Sequence, residues 1–294
     1  MPFRASRHSE NCSNASTMTT DQQRLDANAR QFDRIAARYD ALGFLTRAAL
    51  ALAETVRVPT GGRVLDVATG TGTVALALAS QAAEVVGTDI APAMLQQARA
   101  RAVGCPNVQF VSAEATALPF ADQSFDAVVC GAGLFFVPDM PAALREWRRV
   151  LRPGGEVVFS AFGRGLLGPL PGLWRETLAG EGIKPGAPPL GRIGTVEAAS
   201  DLLVQAGFQG GAAELLVLPY ALPTPAERWS DIAAGLEGLP LADLTPEQRV
   251  ALKTEHLKAL QPLFAAGPLT VPLPLILAHG YRDAGESNGG GVAL

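Results

Sequence analysis

The stretch Val64-Leu65-Asp66-Val67-Ala68-Thr69-Gly70-Thr71-Gly72, with the apolar run that follows it to Ser80, constrains this chain more than any other. Val64 and Val67 are β-branched and flank Leu65. They follow a break at Gly61-Gly62, so the segment reads as a short buried strand. The alanines and leucines from Ala75 to Ala79 are good helix formers. A strand that enters a helix through glycines brings backbone close to a ligand, and the helix N-terminus offers unpaired N–H groups.

The same alternation recurs downstream. Strands are expected at about 63–68, 84–88, 108–112, 125–130 and 155–161, with helices at about 72–80, 91–102 and 141–150 and a looser segment at 113–123. Val-rich strands alternating with helices imply a doubly wound, mostly parallel α/β sheet covered on both faces, with its ligand at the C-terminal strand ends. Two helices, about 26–39 and 42–56, precede it. Residues 163–194 are crowded with Gly and Pro and hold one or two helical turns near Leu173 to Ala179, the texture of a lid. A helix over Thr195 to Ala206, a sixth strand over Ala213 to Leu222 and a helical insert (223–268, helices at about 225–235 and 245–264) follow. The seventh strand, about Val271 to His279, contains Pro272 and Pro274, which a strand tolerates only near an edge or at its start. The expectation is one domain over 23–283 with a cofactor-binding core at 60–162, between disordered segments at 1–22 and 284–294; Met18 is an alternative start.

A formal net charge of −4 argues against a partner held by a basic surface, so no nucleic acid is expected. Cys12, Cys105 and Cys130 are too scattered for a disulfide framework, which suits a reducing, cytoplasmic setting. His8, His256 and His279 have no ligand spacing, so no metal is expected, and no apolar run approaches the roughly 18 residues of a membrane span.

The glycine turn alone is ambiguous. Gly70-x-Gly72-x-x-Ala75 fits the loose dinucleotide fingerprint, and Asp89 closes the second strand at the distance expected of a ribose-binding acid. Asp89 is equally placed to cap the helix after it. The turn lacks the Lys-Ser/Thr ending of a phosphate loop. Three carboxylates (Asp66, Asp89, Glu114) suit a cationic sulfonium better than a pyrophosphate.

Four stretches in order break the tie: the first turn; Val86-Gly87-Thr88-Asp89-Ile90-Ala91-Pro92-Ala93-Met94-Leu95; Glu114-Ala115-Thr116-Ala117-Leu118-Pro119-Phe120 with Ser124-Phe125-Asp126; and Leu144 through Arg152-Pro153-Gly154-Gly155. Over about residues 30–162 the chain resembles class I S-adenosylmethionine-dependent methyltransferases, in the branch of the ubiquinone/menaquinone C-methyltransferases. Ala68 stands where that family's first motif has a glycine. The resemblance implies that Asp66 serves the methionine ammonium and that Gly70 and Gly72 admit the ligand. It places Asp89 on the ribose hydroxyls, Ile90 on one face of the adenine, Met94 in the cofactor site, and Glu114 with the Ala115 N–H on the adenine edge. Cys130 and Gly131 would lie under the sulfonium, and Tyr39 would close over the cofactor. Packing in the core is the alternative for Ile90 and Tyr39.

Methyl transfer is an in-line displacement from an activated leaving group, so positioning supplies much of the rate, and a general base is needed only if the acceptor is a phenol, a protonated amine or an acidic carbon. The acceptor is expected to be a small, largely apolar or aromatic molecule lined by Leu134, Phe135, Phe136, Leu166, Leu167, Leu170, Leu173, Trp174, Trp229 and Phe264. These residues would otherwise pack the extra helices. Two other readings keep the glycine turn: an NAD(P)-dependent oxidoreductase, and a cofactor-binding module without catalysis.

Overall fold

The computed structural model describes residues 20–184 and 189–284; Met18 and most of both expected disordered ends lie outside the described residues. Seven strands form one sheet: β1 (Arg63–Val67), β2 (Glu84–Asp89), β3 (Val108–Ser112), β4 (Phe125–Cys130), β5 (Leu151–Phe162), β6 (Gln209–Leu222) and β7 (Leu269–Tyr281). Their order is β3-β2-β1-β4-β5-β7-β6. The first five are parallel, and β7 runs antiparallel between β5 and β6. The winding reverses direction between β1 and β4, which opens a crevice at their C-terminal ends. Val64, Leu65, Val85, Val86, Val128, Val129, Val157 and Phe159 are fully buried, as strands covered on both faces must be.

Around the sheet lie α1 (Thr20–Ile35), α2 (Gly43–Thr55), α3 (Thr73–Leu78), α4 (Pro92–Arg101), α5 (Met140–Val150), α6 (Leu170–Gly180), α7 (Val196–Gln205), α8 (Pro225–Ala234) and α9 (Pro246–Leu260). The first helix differs from expectation at both ends. It begins at Thr20, so residues 20–22 are helical, and it stops at Ile35, after which Ala36–Ala41 tighten into a 3-10 helix that carries Tyr39. β5 also starts earlier than expected, at Leu151. Arg152-Pro153-Gly154-Gly155 runs in the strand past a register shift between Phe125 and Ala127, with Gly154 at φ +77°.

The segment after β5 is more ordered than its composition suggests. α6 buries Leu170, Trp174 and Leu178 at helical spacing, and Pro171 sits in its first turn, where a missing N–H costs nothing. Trp174 and Leu178 pack against Trp229, Ile232, Leu241 and Leu252 of the helices between β6 and β7, making a small core of their own. The run expected as one helix to residue 264 ends at Leu260, and Gln261–Phe264 finish it as a 3-10 turn containing Pro262. β7 is an interior strand, and its prolines sit at its start, where β5 has ended. There the Pro274 and Pro272 carbonyls accept from Gly163 N (3.0 Å) and Leu167 N (2.9 Å). No described helix is long and apolar enough to cross a membrane.

Candidate active site

A two-lobed groove lies over the C-terminal ends of β1, β2 and β4. Tyr39, Ala68, Gly70, Gly131 and Ala132 border both lobes. One lobe holds Asp66, Thr69, Thr71 and Val74 opposite Leu45, Thr46, Ala48 and Ala49 of α2, with Ser160 at the end of β5. The other holds Asp89, Ile90, Met94, Ala113, Ala115 and Phe136.

Asp66 is the buried acid of the first lobe. Its Oδ2 accepts from Thr69 Oγ1 (2.6 Å) and from Ala75 N (3.1 Å) in the first turn of α3. Its Oδ1 is buried and has no protein partner. Burial pushes the carboxyl up to about 7, although both hydrogen bonds pull it down. An unpaired buried carboxylate oxygen in a groove is a poised acceptor.

Asp89 organises the second lobe. Oδ2 accepts from Gly70 N (2.9 Å) and Oδ1 from Ala91 N (2.9 Å), so the acid ties the glycine turn to the start of α4. Burial raises its pKa, opposed by the Ala91, Gly70 and Ile90 amides. The loop beside it is held from behind by α5. Trp147 Nε1 donates to Ala115 O (3.0 Å), and Glu146 Oε1 accepts from Leu118 N (2.8 Å). The third and fourth sequence stretches are therefore one device: the helix fixes the loop whose Ala113 and Ala115 edge the groove.

The N-terminal segment roofs the groove. Asp33 Oδ1 accepts from Ala93 N (2.9 Å), Asn28 Nδ2 donates to Phe136 O (2.9 Å), and the Phe32 ring meets Phe136 edge-on at 4.9 Å. Next to Tyr39, Asp40 Oδ1 accepts from Thr71 Oγ1 (2.6 Å) and Arg101 Nη1 (3.0 Å). Arg101 also donates to Thr71 O (2.9 Å) and Thr73 Oγ1 (3.0 Å), which clasps the roof to the glycine turn. Burial and the nearby Asp89 and Asp40 raise the Tyr39 phenol, which stays neutral.

The structure separates the expected site residues into three groups. Tyr39, Asp66, Ala68, Gly70, Asp89, Ile90, Met94, Ala115 and Gly131 border the groove. Gly72 does not. It is buried at φ +83°, and a Cβ there would strike the Phe110 ring at 2.9 Å, so it serves packing behind the turn rather than ligand approach. Cys130 is buried beneath the groove floor with its thiol pushed up by burial, and Glu114 directs its carboxylate to Thr116 Oγ1 within its own loop. Among the apolar residues expected around an acceptor, Phe136 borders the groove. Leu134 and Phe135 lie in the main core, and Leu167, Leu170, Trp174 and Trp229 pack the added helices. The α2 wall, Ser160 and Ala132 escape sequence reasoning because nothing local marks them. Ser160 Oγ accepts from Ala132 N (3.1 Å), and Ala132 sits at φ +50°.

These residues fit S-adenosylmethionine. Among the described residues the groove lining includes Asp40, Asp66 and Asp89 and no Lys, Arg or His, a lining that favours a cation and disfavours a pyrophosphate. The free Oδ1 of Asp66 matches an ammonium, and a Cβ added at Gly70 would project into the groove, meeting Tyr39 at 3.8 Å.

Comparison with known proteins agrees. A methyltransferase domain family matches residues 65–159. The malonyl-[acyl-carrier protein] O-methyltransferase of Halorhodospira halophila is 37% identical over 246 residues, covering 80% of this chain and 79% of that protein. The demethylmenaquinone methyltransferase of Clavibacter sepedonicus is 41% identical over 137 residues, covering 45% of this chain and 56% of that protein. Among solved structures, the YcgJ protein of Bacillus subtilis superposes with a TM-score of 0.55 at 22% identity, covering 81% of this chain and 99% of that one. The [4+2]-cyclase SpnF shares the fold at a TM-score of 0.52 and 22% identity, covering 82% of this chain and 81% of that one. On the strength of the long relative and of the acidic groove, this chain belongs to the class I S-adenosylmethionine-dependent methyltransferases.

Proposed function

We propose that this enzyme transfers the methyl group in line to a small acceptor that is largely apolar and uncharged at the reacting end. The observation that carries this reading is the lining of the lobe around Asp66. Its outer wall is Leu45, Ala48 and Ala49, its inner wall Val74, and its polar groups are hydroxyls (Thr46, Ser160) and carboxylates. Bound in the groove, the cofactor supplies a methyl group on a sulfonium whose departure needs no protonation.

The chain's own residues then do three things. Asp66 anchors the methionine end, and Asp89 anchors the ribose while holding Gly70. The roof, with Tyr39 between the lobes, keeps water from the reacting centre, and α2 presents an apolar surface on which an acceptor is aligned. Glu114 and Cys130 are assigned here to supporting the adenine loop and the floor.

The two named relatives act on different acceptors, one carrying a malonyl carboxyl and the other a demethylmenaquinone. A carboxylate acceptor would enter beside Asp66 and Asp89 with no cationic side chain among the described groove residues to receive it. The lining therefore favours the neutral class. Free thiols at Cys105 and Cys130 suit a cytoplasmic site of action. The test is adenosylhomocysteine formation with a neutral hydroxylated naphthalene or phenol series and with malonyl thioesters. Turnover of the neutral series supports the reading. Turnover of malonyl thioesters alone overturns it, and cofactor binding without turnover of any acceptor favours a non-catalytic module.

A further inference from the structure

The sheet has one feature that the methyl-transfer site does not use. β6 is an edge strand of 14 residues, and at its middle Leu215, Leu216 and Val217 are 53%, 38% and 56% exposed. Successive strand residues point to opposite faces, so the edge is apolar on both sides of the sheet. Native edges are ordinarily blunted by charge, proline or a bulge. Here the strand's one charged residue is Glu214. A register shift between Gln209 and Ala212 disturbs one end, and Pro219 closes the other. Among the described residues, no strand pairs with the outer edge of 213–217 between them.

Backbone direction follows from the ladder. Pro274 O accepts from Gly163 N beside β5, so even-numbered residues of β7 face β5 and odd-numbered ones face β6. Leu216 pairs with Leu275 and Leu218 with Leu273, so even-numbered residues of β6 bond to β7. Ala213, Leu215 and Val217 therefore send their N–H and C=O groups outward. Pro219, also outward, has no N–H to give.

We propose that this edge pairs with the same edge of a second copy of the chain, antiparallel about a two-fold axis at Leu215. That register sets Leu215 against the partner's Leu215 and Ala213 against the partner's Val217, each an outward-facing pair. Glu214 falls opposite the partner's Leu216, so the strand's single charge does not meet its symmetry mate. The bulge and Pro219 lie just beyond the paired segment at both ends. The surface is thus self-complementary in hydrogen bonding, apolar on both faces and free of like-charge conflict, as an isologous contact requires. A cationic or strongly acidic partner would find no charge to match.

Sedimentation velocity on the full chain over a concentration series tests this. The expected species has twice the 30.6 kDa chain mass. Leu215→Lys sets two ammonium groups on the axis and is expected to weaken dimerisation at least tenfold. Val217→Pro removes an outward N–H without touching the bonds to β7 and is expected to do the same. Leu216→Lys faces the partner's Glu214 and is expected to leave the dimer intact. Melting of each variant at low concentration checks that the monomer stays folded. A wild-type chain that is monomeric at every concentration overturns the proposal. So does a dimer that survives both Leu215→Lys and Val217→Pro.

Discussion

The Asp89 carboxylate holds the Gly70 amide at 2.9 Å across the gap between β2 and the first glycine turn. Through that bond the residue that would receive the ribose also fixes the backbone that borders both lobes. Asp89→Ala is therefore expected to weaken cofactor binding by roughly 1.5–3 kcal/mol, about 10- to 150-fold, through loss of both roles. Titration calorimetry with adenosylhomocysteine on the folded variant measures it. An unchanged affinity would remove Asp89 from the site.

Asp66 gives a pH dependence. Its carboxyl is raised to about 7 by burial, so the folded protein without cofactor holds a proton that the unfolded chain releases near pH 4. Stability from this group is full below about pH 4 and falls as pH rises to about 7. Asp66→Asn is expected to flatten that fall and to raise the unliganded protein's stability at pH 8 by about 1–3 kcal/mol. The ionised form is the one that attracts an ammonium, so wild-type cofactor affinity should rise through about pH 7 and that of the variant should not. Melting curves and calorimetry at pH 5, 6, 7 and 8 read both. Parallel pH profiles for the two proteins would contradict the role.

Ala68 and Gly133 are steric partners on the groove floor. Ala68 sits at φ +55°, and a Cβ at Gly133 would come within 2.6 Å of the Ala68 Cβ and 3.0 Å of Cys130 Sγ. Gly133→Ala alone is expected to cost about 1–3 kcal/mol by overpacking. Ala68→Gly removes the nearer obstacle and relieves the left-handed strain, so the double variant should recover part of the loss. Additive losses in thermal melts would show that the two side chains do not meet.

Arg101 clasps the roof. It reaches Asp40, Thr71 and Thr73 from α4, and all three lie on the segments that enclose the groove. Arg101→Ala is expected to loosen the 3-10 segment and weaken cofactor binding by about 1–2 kcal/mol, chiefly through faster dissociation. Stopped-flow displacement of bound adenosylhomocysteine tests this. An unaltered off-rate would mean the roof stays closed without the clasp.

The strand and turn around Asp66, the acid at Asp89 and the seven-strand alternation were legible in the sequence because each depends on local pattern. Buried strands need Val and Leu runs, and Gly70 and Gly72 stand at positive φ, which glycine adopts without steric cost. α6 was legible only as one or two turns near Leu173 to Ala179, because Pro171 and Gly172 read as breakers although a first turn tolerates both.

What the sequence by itself determined is therefore the sheet and the family. The tertiary structure alone decided which side of each residue meets the groove. Gly70 faces the ligand space while Gly72, two residues on, faces Phe110, and Ala115 edges the groove while Glu114 turns to Thr116. It also brought Leu45, Thr46, Asp40 and Ser160 to one place from segments far apart in the chain. Local spacing carries no information about such meetings, because they are set by how helices and strands pack across the sheet.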